Sequence, residues 1–256
     1  MNRQLLVLLI LALLCCSCNE KSKGEPMKLA VFSKTTGYRH EVIPVAVKMF
    51  ESLAKTNGWE MVHTEDSLFF SAQTLDSLQV VVFLHTTGNV LGPEQQKALK
   101  TFVENGGGLV TVHSGTITEN DWPWFVQAVG AKFTGHPPVQ KGKLIIEDRG
   151  HPATSFFPDS VWVIADEWYS FDRNPREEVD VLISIDESSY AVDDNRWFEG
   201  AEQPMGDHPL VWCQTVGNGR LFQTALGHTP ELYSDSLFIR HLEEAVRWAS
   251  ENTKVK

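Results

Sequence analysis

The stretch Gln79-Val-Val-Val-Phe-Leu-His-Thr86 is apolar without alternation over most of its length. A strand with one face in water alternates polar and apolar residues, so an unbroken run must be covered on both faces. That is the habit of a parallel sheet lying between layers of helix. The flanking segments carry the same message. KLAVFSKT (28–35) and WEMVHTED (59–66) read as strands, as does GGLVTV (107–112). Between them, VIPVAVKMFESLAKTNG reads as a helix with Pro44 near its start and Asn57-Gly58 past its end. Its Ala46, Met49, Phe50 and Leu53 share one face. PEQQKALKTFVEN is a second helix, with Ala98, Leu99, Phe102 and Val103 inward and a glycine stop behind it. Such alternation predicts an α/β domain: a mostly parallel sheet with helices on both faces.

The second half changes character. KGKLIIED, SVWVIADEWYSF and VDVLISID are strands with no long helix between them. HPLVWCQTVGNGRLFQTALG reads as a hairpin turning at Gly217-Asn218-Gly219, and SLFIRHLEEAVRWAS as a closing amphipathic helix. The expectation is one domain from residue 27 to residue 256, in which a parallel core carries an antiparallel extension. A chain of 256 residues with 42% apolar content can bury such a core. A net charge of −11 with 22 Lys and Arg, and no basic run in the domain, argues against nucleic acid as a partner, since phosphate binding needs a clustered basic surface.

Residues 1–17 are set apart by a short cationic head, MNRQ, and the apolar run LLVLLILALL, too short to span a bilayer. The cysteine-rich end of that run resembles a bacterial lipoprotein signal, with Ser17 before a lipidated Cys18 and residues 18–26 as tether; an ordinary secretory signal with incidental cysteines is the alternative. The expected location is the bacterial cell envelope, periplasm or outer membrane, with a lipid anchor in the membrane. Cleavage there leaves Cys213 as the one thiol of the domain, so no internal disulfide can form. Cys213 lies in an alternating strand and reads as a small buried hydrophobe.

In open α/β sheets, reactive groups collect just past the C-terminal ends of strands. Four such places carry them here. TTGYRHEVIP puts Arg39 and His40 after the first strand and before a helix, where unpaired N–H groups favour anions; the plainer reading is a surface ion pair and a local cap. NGGGLVTVHSGT puts His113 and Ser114 at a turn. A nucleophile elbow would read G-x-S-x-G, and both glycines are missing around Ser114, so His113 is the working candidate, as base, donor or ligand. ADEWYSF ends an apolar run with Asp166 and Glu167, and alternation places Glu167 with Tyr169 on one face. The alternative is a carboxylate closing a turn and a tyrosine filling core. TALGHTPELY puts His228 after the hairpin, and His136 in FTGHPP belongs with this set. His85 ends its own strand and lines the same cleft only if the strand order allows it. His151 reads as structural, and His63, His208 and His241 carry no pattern. No H-E-x-x-H or H-x-H spacing occurs, so a divalent metal, with His113, His136 and His228 as candidate ligands, would have to be assembled from distant loops.

Taken in order, FSKTTGYRH, GGGLVTVHSGT, FTGHP, GHPAT, DEWYSF and PLVWCQTVGNGRLFQTALGH resemble the ThuA-like family, named for trehalose utilisation, from Lys28 to about Trp248. The resemblance implies a flavodoxin-like sheet similar to that of class I glutamine amidotransferases. It also implies absence of their Cys-His-Glu triad, and this chain has VHSG where those enzymes carry cysteine. The family's association is with sugar catabolism, including disaccharides oxidised to 3-keto-glycosides. The implied activity is a hydrolase or lyase acting on an oxidised or modified glycoside. His40 or His113 would be the base, Glu167 and Tyr169 acid or sugar-orienting groups, and Arg39, Ser114, His136 and His228 substrate contacts. A small carbohydrate is the implied substrate, and a sugar-oxidising partner enzyme and a homo-oligomer are compatible with that reading. The competing reading is a non-catalytic sugar-binding module on an amidotransferase-like fold.

Overall fold

The computed structural model describes residues 25–192 and 204–251. The expected signal segment, Cys18 and all but the last two residues of the expected tether lie outside the described residues, as does the end of the expected domain. No described helix is long and apolar enough to cross a membrane.

Among the described residues the main sheet has nine strands. The first four are β1 (Lys28–Phe32), β2 (Glu60–Thr64), β3 (Val80–Leu84) and β4 (Gly108–Val112). β5 (Phe133–Gly135) pairs with β8 (Ser170–Phe171) in a small separate ladder. The extension holds β6 (Gln140–Ile146), β7 (Val161–Asp166), β9 (Asp180–Asp186), β10 (Pro209–Val216) and β11 (Gly219–Thr224). The order across the main sheet is β2-β1-β3-β4-β11-β10-β9-β6-β7.

Its first five strands are parallel, the β2-β1-β3-β4-β11 arrangement of a flavodoxin-like fold. β3 and β4 are buried at every position, which is why neither alternates. From β11 outward each pairing is antiparallel. Four reversals bring β7 back to the direction of β11, so the two strands end at the same edge of the sheet.

The helices are α1 (Ile43–Asn57), α2 (Ala72–Asp76), α3 (Pro93–Glu104), α4 (Pro123–Val129) and α5 (Ser236–Ser250). α1 and α5 cover one face of the sheet; Phe50, Leu53, Phe238 and Leu242 pack there with Val82 and Val110. α3 and α4 cover the other, where Leu99, Phe102, Phe125 and Val129 meet Phe83 and Leu109. α1 stops at Gly58, whose φ of 68° is the left-handed conformation the Asn-Gly pair foretold. α5 starts at Asp235, whose carboxylate accepts the N–H groups of Leu237 and Phe238.

Candidate functional site

Strand order turns back between β1 and β3, and clefts in open α/β sheets form at such switch points. The loop after β1 carries Tyr38 and His40, and His85 directly follows β3. His113 follows β4, Glu167 and Tyr169 follow β7, and His228 follows β11. All these strands end at one edge. Sequence distance between the groups is large; spatial distance is not.

His113 sits on a sharp turn. Its φ of 61° and ψ of −92° are conformations that a side-chain-bearing residue adopts only under constraint. The non-glycine residues with positive φ among those described are His85, His113 and Glu119, so two of the three strained positions are histidines of this edge. Each such position costs on the order of 1–3 kcal/mol, which the surroundings offset. The His113 N–H donates to the Thr224 carbonyl at 2.7 Å and its Nδ1–H to the Ala225 carbonyl at 2.8 Å. Behind it, a Cβ added to Gly115 would lie 2.5 Å from Thr111 Cβ, so the turn needs glycine there. The turn has the strand-to-helix shape of a nucleophile elbow, and a histidine occupies its apex.

Because a carbonyl can only accept, the Ala225 contact puts the proton of neutral His113 on Nδ1. Nε2 then offers a lone pair, to which the Tyr169 hydroxyl donates a hydrogen bond at 2.8 Å. Glu167 Oε2 is 3.5 Å from the same nitrogen and 3.0 Å from His228 Nδ1, while Oε1 is 3.6 Å from His136 Nε2. The 3.0 Å contact lies off the axis of the ring nitrogen, so it is not a hydrogen bond, and His228 Nδ1 is buried without one. The His40 ring centre is 4.7 Å from that of His113 and 5.5 Å from that of His228. Its Nδ1 is also buried without a hydrogen bond.

Charge follows from these neighbours. Burial holds His40 down to about 2, with His113 and His228 adding to it, so its ring is neutral at ordinary pH. Burial likewise lowers His85, and it lowers His136 against the pull of Glu167. For Glu167 burial works upward, but close contacts with His113 and His228 outweigh it and hold the carboxyl below its usual range. Burial works downward on His228, and the adjacent Glu167 carboxylate, with Asp166 behind it, draws it up. Tyr169 is raised by burial and then by the charges of Glu167 and Asp166, so it stays a phenol and a donor.

Asp166 points away from this group and ties its two outermost members together. Its Oδ1 accepts the N–H of Glu167 at 3.0 Å and of His228 at 2.9 Å, and Oδ2 accepts the N–H of Gly227 at 2.7 Å. His208 supports Tyr169 in a similar way, its Nε2–H donating to the Tyr169 carbonyl at 2.8 Å.

His40, His113, His228 and Glu167 each bring one ligand atom, and these four atoms lie within 4.8 Å of one another. Three imidazoles and a carboxylate are the donor set of Zn²⁺ or a neighbouring first-row divalent ion, bound at about 2.0–2.2 Å. The unpartnered nitrogens of His40 and His228 fit that use. So does the His113 Nδ1–H bond to a carbonyl, the contact that metal-bound histidines ordinarily make, which leaves Nε2 as the ligand atom once a metal takes the place of the Tyr169 hydroxyl proton there. Beside the group is a cavity of about 470 Å³ walled by Tyr38, Ile117, Phe133, His136, Glu167 and Tyr169. Aromatic faces with a few polar tips suit the faces and hydroxyls of a sugar ring.

The structure brings together His40, His113, Glu167, Tyr169, His136 and His228 as the sequence reading expected, and it revises three assignments. The metal-competent group contains His40 and Glu167 in place of His136, because β5 delivers His136 against Tyr169, with ring centres 5.5 Å apart, outside the group of four. Arg39 turns outward and pairs with Glu65 at 2.7 Å, outside the lining of the cavity, as the plainer reading of that residue had it. Ser114 is wholly buried, with an Oγ that has no hydrogen-bond partner, and cannot touch a ligand in this conformation. His85 is next to the group, 5.0 Å from His40 and 5.1 Å from His113 between ring centres, but is buried behind it and bonded to the Tyr233 hydroxyl at 2.7 Å. Tyr38, Phe133 and His208 were missed. Tyr38 sits between Gly37 and Arg39-His40 and reads locally as a turn residue, and His208 and Phe133 act through contacts that no local pattern announces.

A family model described as trehalose utilisation, ThuA, matches residues 28–249. No curated protein matches. A ThuA-like protein from Bacteroides uniformis has 25% identity and a TM-score of 0.73, over 88% of this chain and 91% of its own. One from Parabacteroides merdae has 20% identity and a TM-score of 0.70, over 91% and 92%. A cytoplasmic protein from Salmonella typhimurium shares the fold at 13% identity and a TM-score of 0.60, over 87% and 99%. With a flavodoxin-like sheet, a histidine on the elbow and a family match along nearly its whole described length, this chain belongs to the ThuA family.

Proposed function

We propose that this protein is an enzyme of carbohydrate catabolism, a hydrolase or lyase that uses a divalent metal to cleave an oxidised, 3-keto type of glycoside. The observation that carries the reading is the convergence of His40, His113, His228 and Glu167 beside an aromatic cavity. A sugar-binding surface has no use for four such groups in mutual contact.

A keto group at C3 acidifies the C2–H bond. A base takes that proton, the electron pair forms the C1=C2 double bond through the enolate, the C1–O bond breaks, and the departing oxygen takes a proton. Water then adds at C1. The sequence reading gave the base role to His40 or His113; with both of those turned to the candidate metal group, His136 suits the base better than as a substrate contact. It is held neutral, its Nδ1–H donates to the Pro137 carbonyl at 2.9 Å, and its Nε2 carries the lone pair. Tyr169, kept protonated, suits the donor for the departing oxygen. A bound divalent ion would supply a Lewis acid for the keto oxygen and its enolate. Anchoring to the cell envelope through a lipidated Cys18 belongs to the same reading, and Cys18→Ser should release the protein into the soluble fraction.

The test is metal analysis of the purified protein and of His113→Ala, followed by incubation of each with 3-keto-trehalose. The expected result is one equivalent of metal and release of reducing sugar by the unaltered protein, both lost in the variant. Absence of metal at any supplied concentration would overturn the metal, and an intact 3-keto-glycoside in the presence of metal-loaded protein would overturn the activity.

A further inference from the structure

A second cavity, of about 430 Å³, opens on the other side of the same residues. Tyr38 and His40 line both cavities and form the wall between them. Glu167 faces the first and His228 the second, and those two side chains are 3.0 Å apart. The reactive group therefore stands at a junction, with room for one moiety on each side.

The two chambers differ in chemistry. The first holds the polar tips of Glu167, Tyr169 and His136 among its aromatic faces. The second is walled by Val42, Val45, Val139, Pro230 and the Tyr38 ring, with His40, Glu41, His228 and Thr229 completing its lining. Tyr38, Val45 and Val139 are 66%, 41% and 44% exposed, and they gather at this one cavity. Exposed apolar residues scattered singly need no explanation, but a contiguous set next to reactive groups marks a ligand groove.

We infer that the substrate has two parts: a sugar bound in the aromatic chamber, and a leaving group seated in the valine-lined chamber across Tyr38 and His40. That leaving group presents an apolar ring face to Val42, Val45, Val139 and Pro230. The inference rests on the proposed glycoside-cleaving activity and adds the class of leaving group.

The test fills the second chamber without touching the reactive group. Val45→Trp, and separately Val139→Trp in case either variant folds poorly, are compared with the unaltered protein on two 3-keto-glucosides, methyl and phenyl. The expected result is at least a tenfold loss of kcat/KM for the phenyl glycoside and a change within about twofold for the methyl glycoside. Equal losses on both substrates by a folded variant, or none on either, would overturn the leaving-group site. Should the unaltered protein turn over neither compound, the activity fails and the site is still decided by equilibrium binding. Phenyl bound at least tenfold more tightly than methyl, with the preference erased by Val45→Trp, supports it, and equal affinities overturn it.

Discussion

The carboxylate of Asp166 accepts the backbone N–H of His228 at 2.9 Å, and of Glu167 at 3.0 Å, from a wholly buried position. It thereby ties the loop after β11 to the end of β7, two segments 62 residues apart in sequence. Burial pushes the Asp166 carboxyl above the usual range, against the pull of nearby His113 and of the Gly227 and Glu167 N–H groups. Asp166→Asn keeps one acceptor and turns an NH₂ toward an N–H group. Metal affinity should fall by about 10–100-fold, the usual effect of losing an outer support of a ligand, while the fold persists. Competition with a chromogenic chelator would read the affinity, and circular dichroism the fold.

Metal should stabilise the folded chain. At 100-fold excess over Kd a ligand that binds only the native state adds about 2.7 kcal/mol. The Tm should therefore rise on adding Zn²⁺ to chelator-treated protein and return on adding dipicolinate. In His113→Ala, where one of the four proposed ligands is gone, the rise should be much smaller. A Tm indifferent to Zn²⁺ would contradict the assignment.

Tyr169→Phe removes the hydroxyl that donates to His113 Nε2 at 2.8 Å and keeps the ring that packs against Phe133 at 4.5 Å between centres. Loss of a positioned proton donor costs about 10²–10⁴ in rate. The expected variant is folded, with kcat on 3-keto-glycosides reduced in that range and metal content unchanged. Metal lost together with activity would instead make the tyrosine a support for His113.

His241 lies far from the site, buried between α5 and the chain near Ala153, with Nδ1–H on that carbonyl at 2.8 Å. Burial lowers it to about 4. Below an unfolded value near 6.5, the unfolded chain takes a proton that the native chain refuses, so stability falls as pH drops from 6.5 toward 4. The slope reaches about 1.4 kcal/mol per pH unit for one such group. His241→Leu should cost on the order of 1 kcal/mol at pH 7.5 through the orphaned carbonyl, and less at pH 5. Urea unfolding at the two pH values would show the shallower dependence.

Cys213 is buried, and burial pushes its thiol up to about 12. A form beginning at residue 27 contains no other cysteine. It should leave a thiol reagent unreacted at pH 8 under native conditions and react once, stoichiometrically, in guanidinium.

What could be read before any coordinates was whatever depends on near neighbours in the chain. The unbroken apolar run at Val80–Leu84 required cover on both faces, and alternation with helices implied a parallel sheet. Each of His40, His113, Glu167, Tyr169 and His228 was visible as a polar group just past a strand. Those signals are local because burial on two faces and the stop of a strand are written into five to ten consecutive residues. The order β2-β1-β3-β4-β11 is not written there, since it depends on how each crossover packs, and that order sets His40 beside His113. The same holds for the choice of His40 and Glu167 over His136 as companions of His113 and His228, and for the turning of Arg39 toward Glu65. Each is settled by where several loops, held by buried groups such as Asp166, let their side chains point. A sequence names the groups that reach the edge of a sheet; only tertiary packing decides which of them meet.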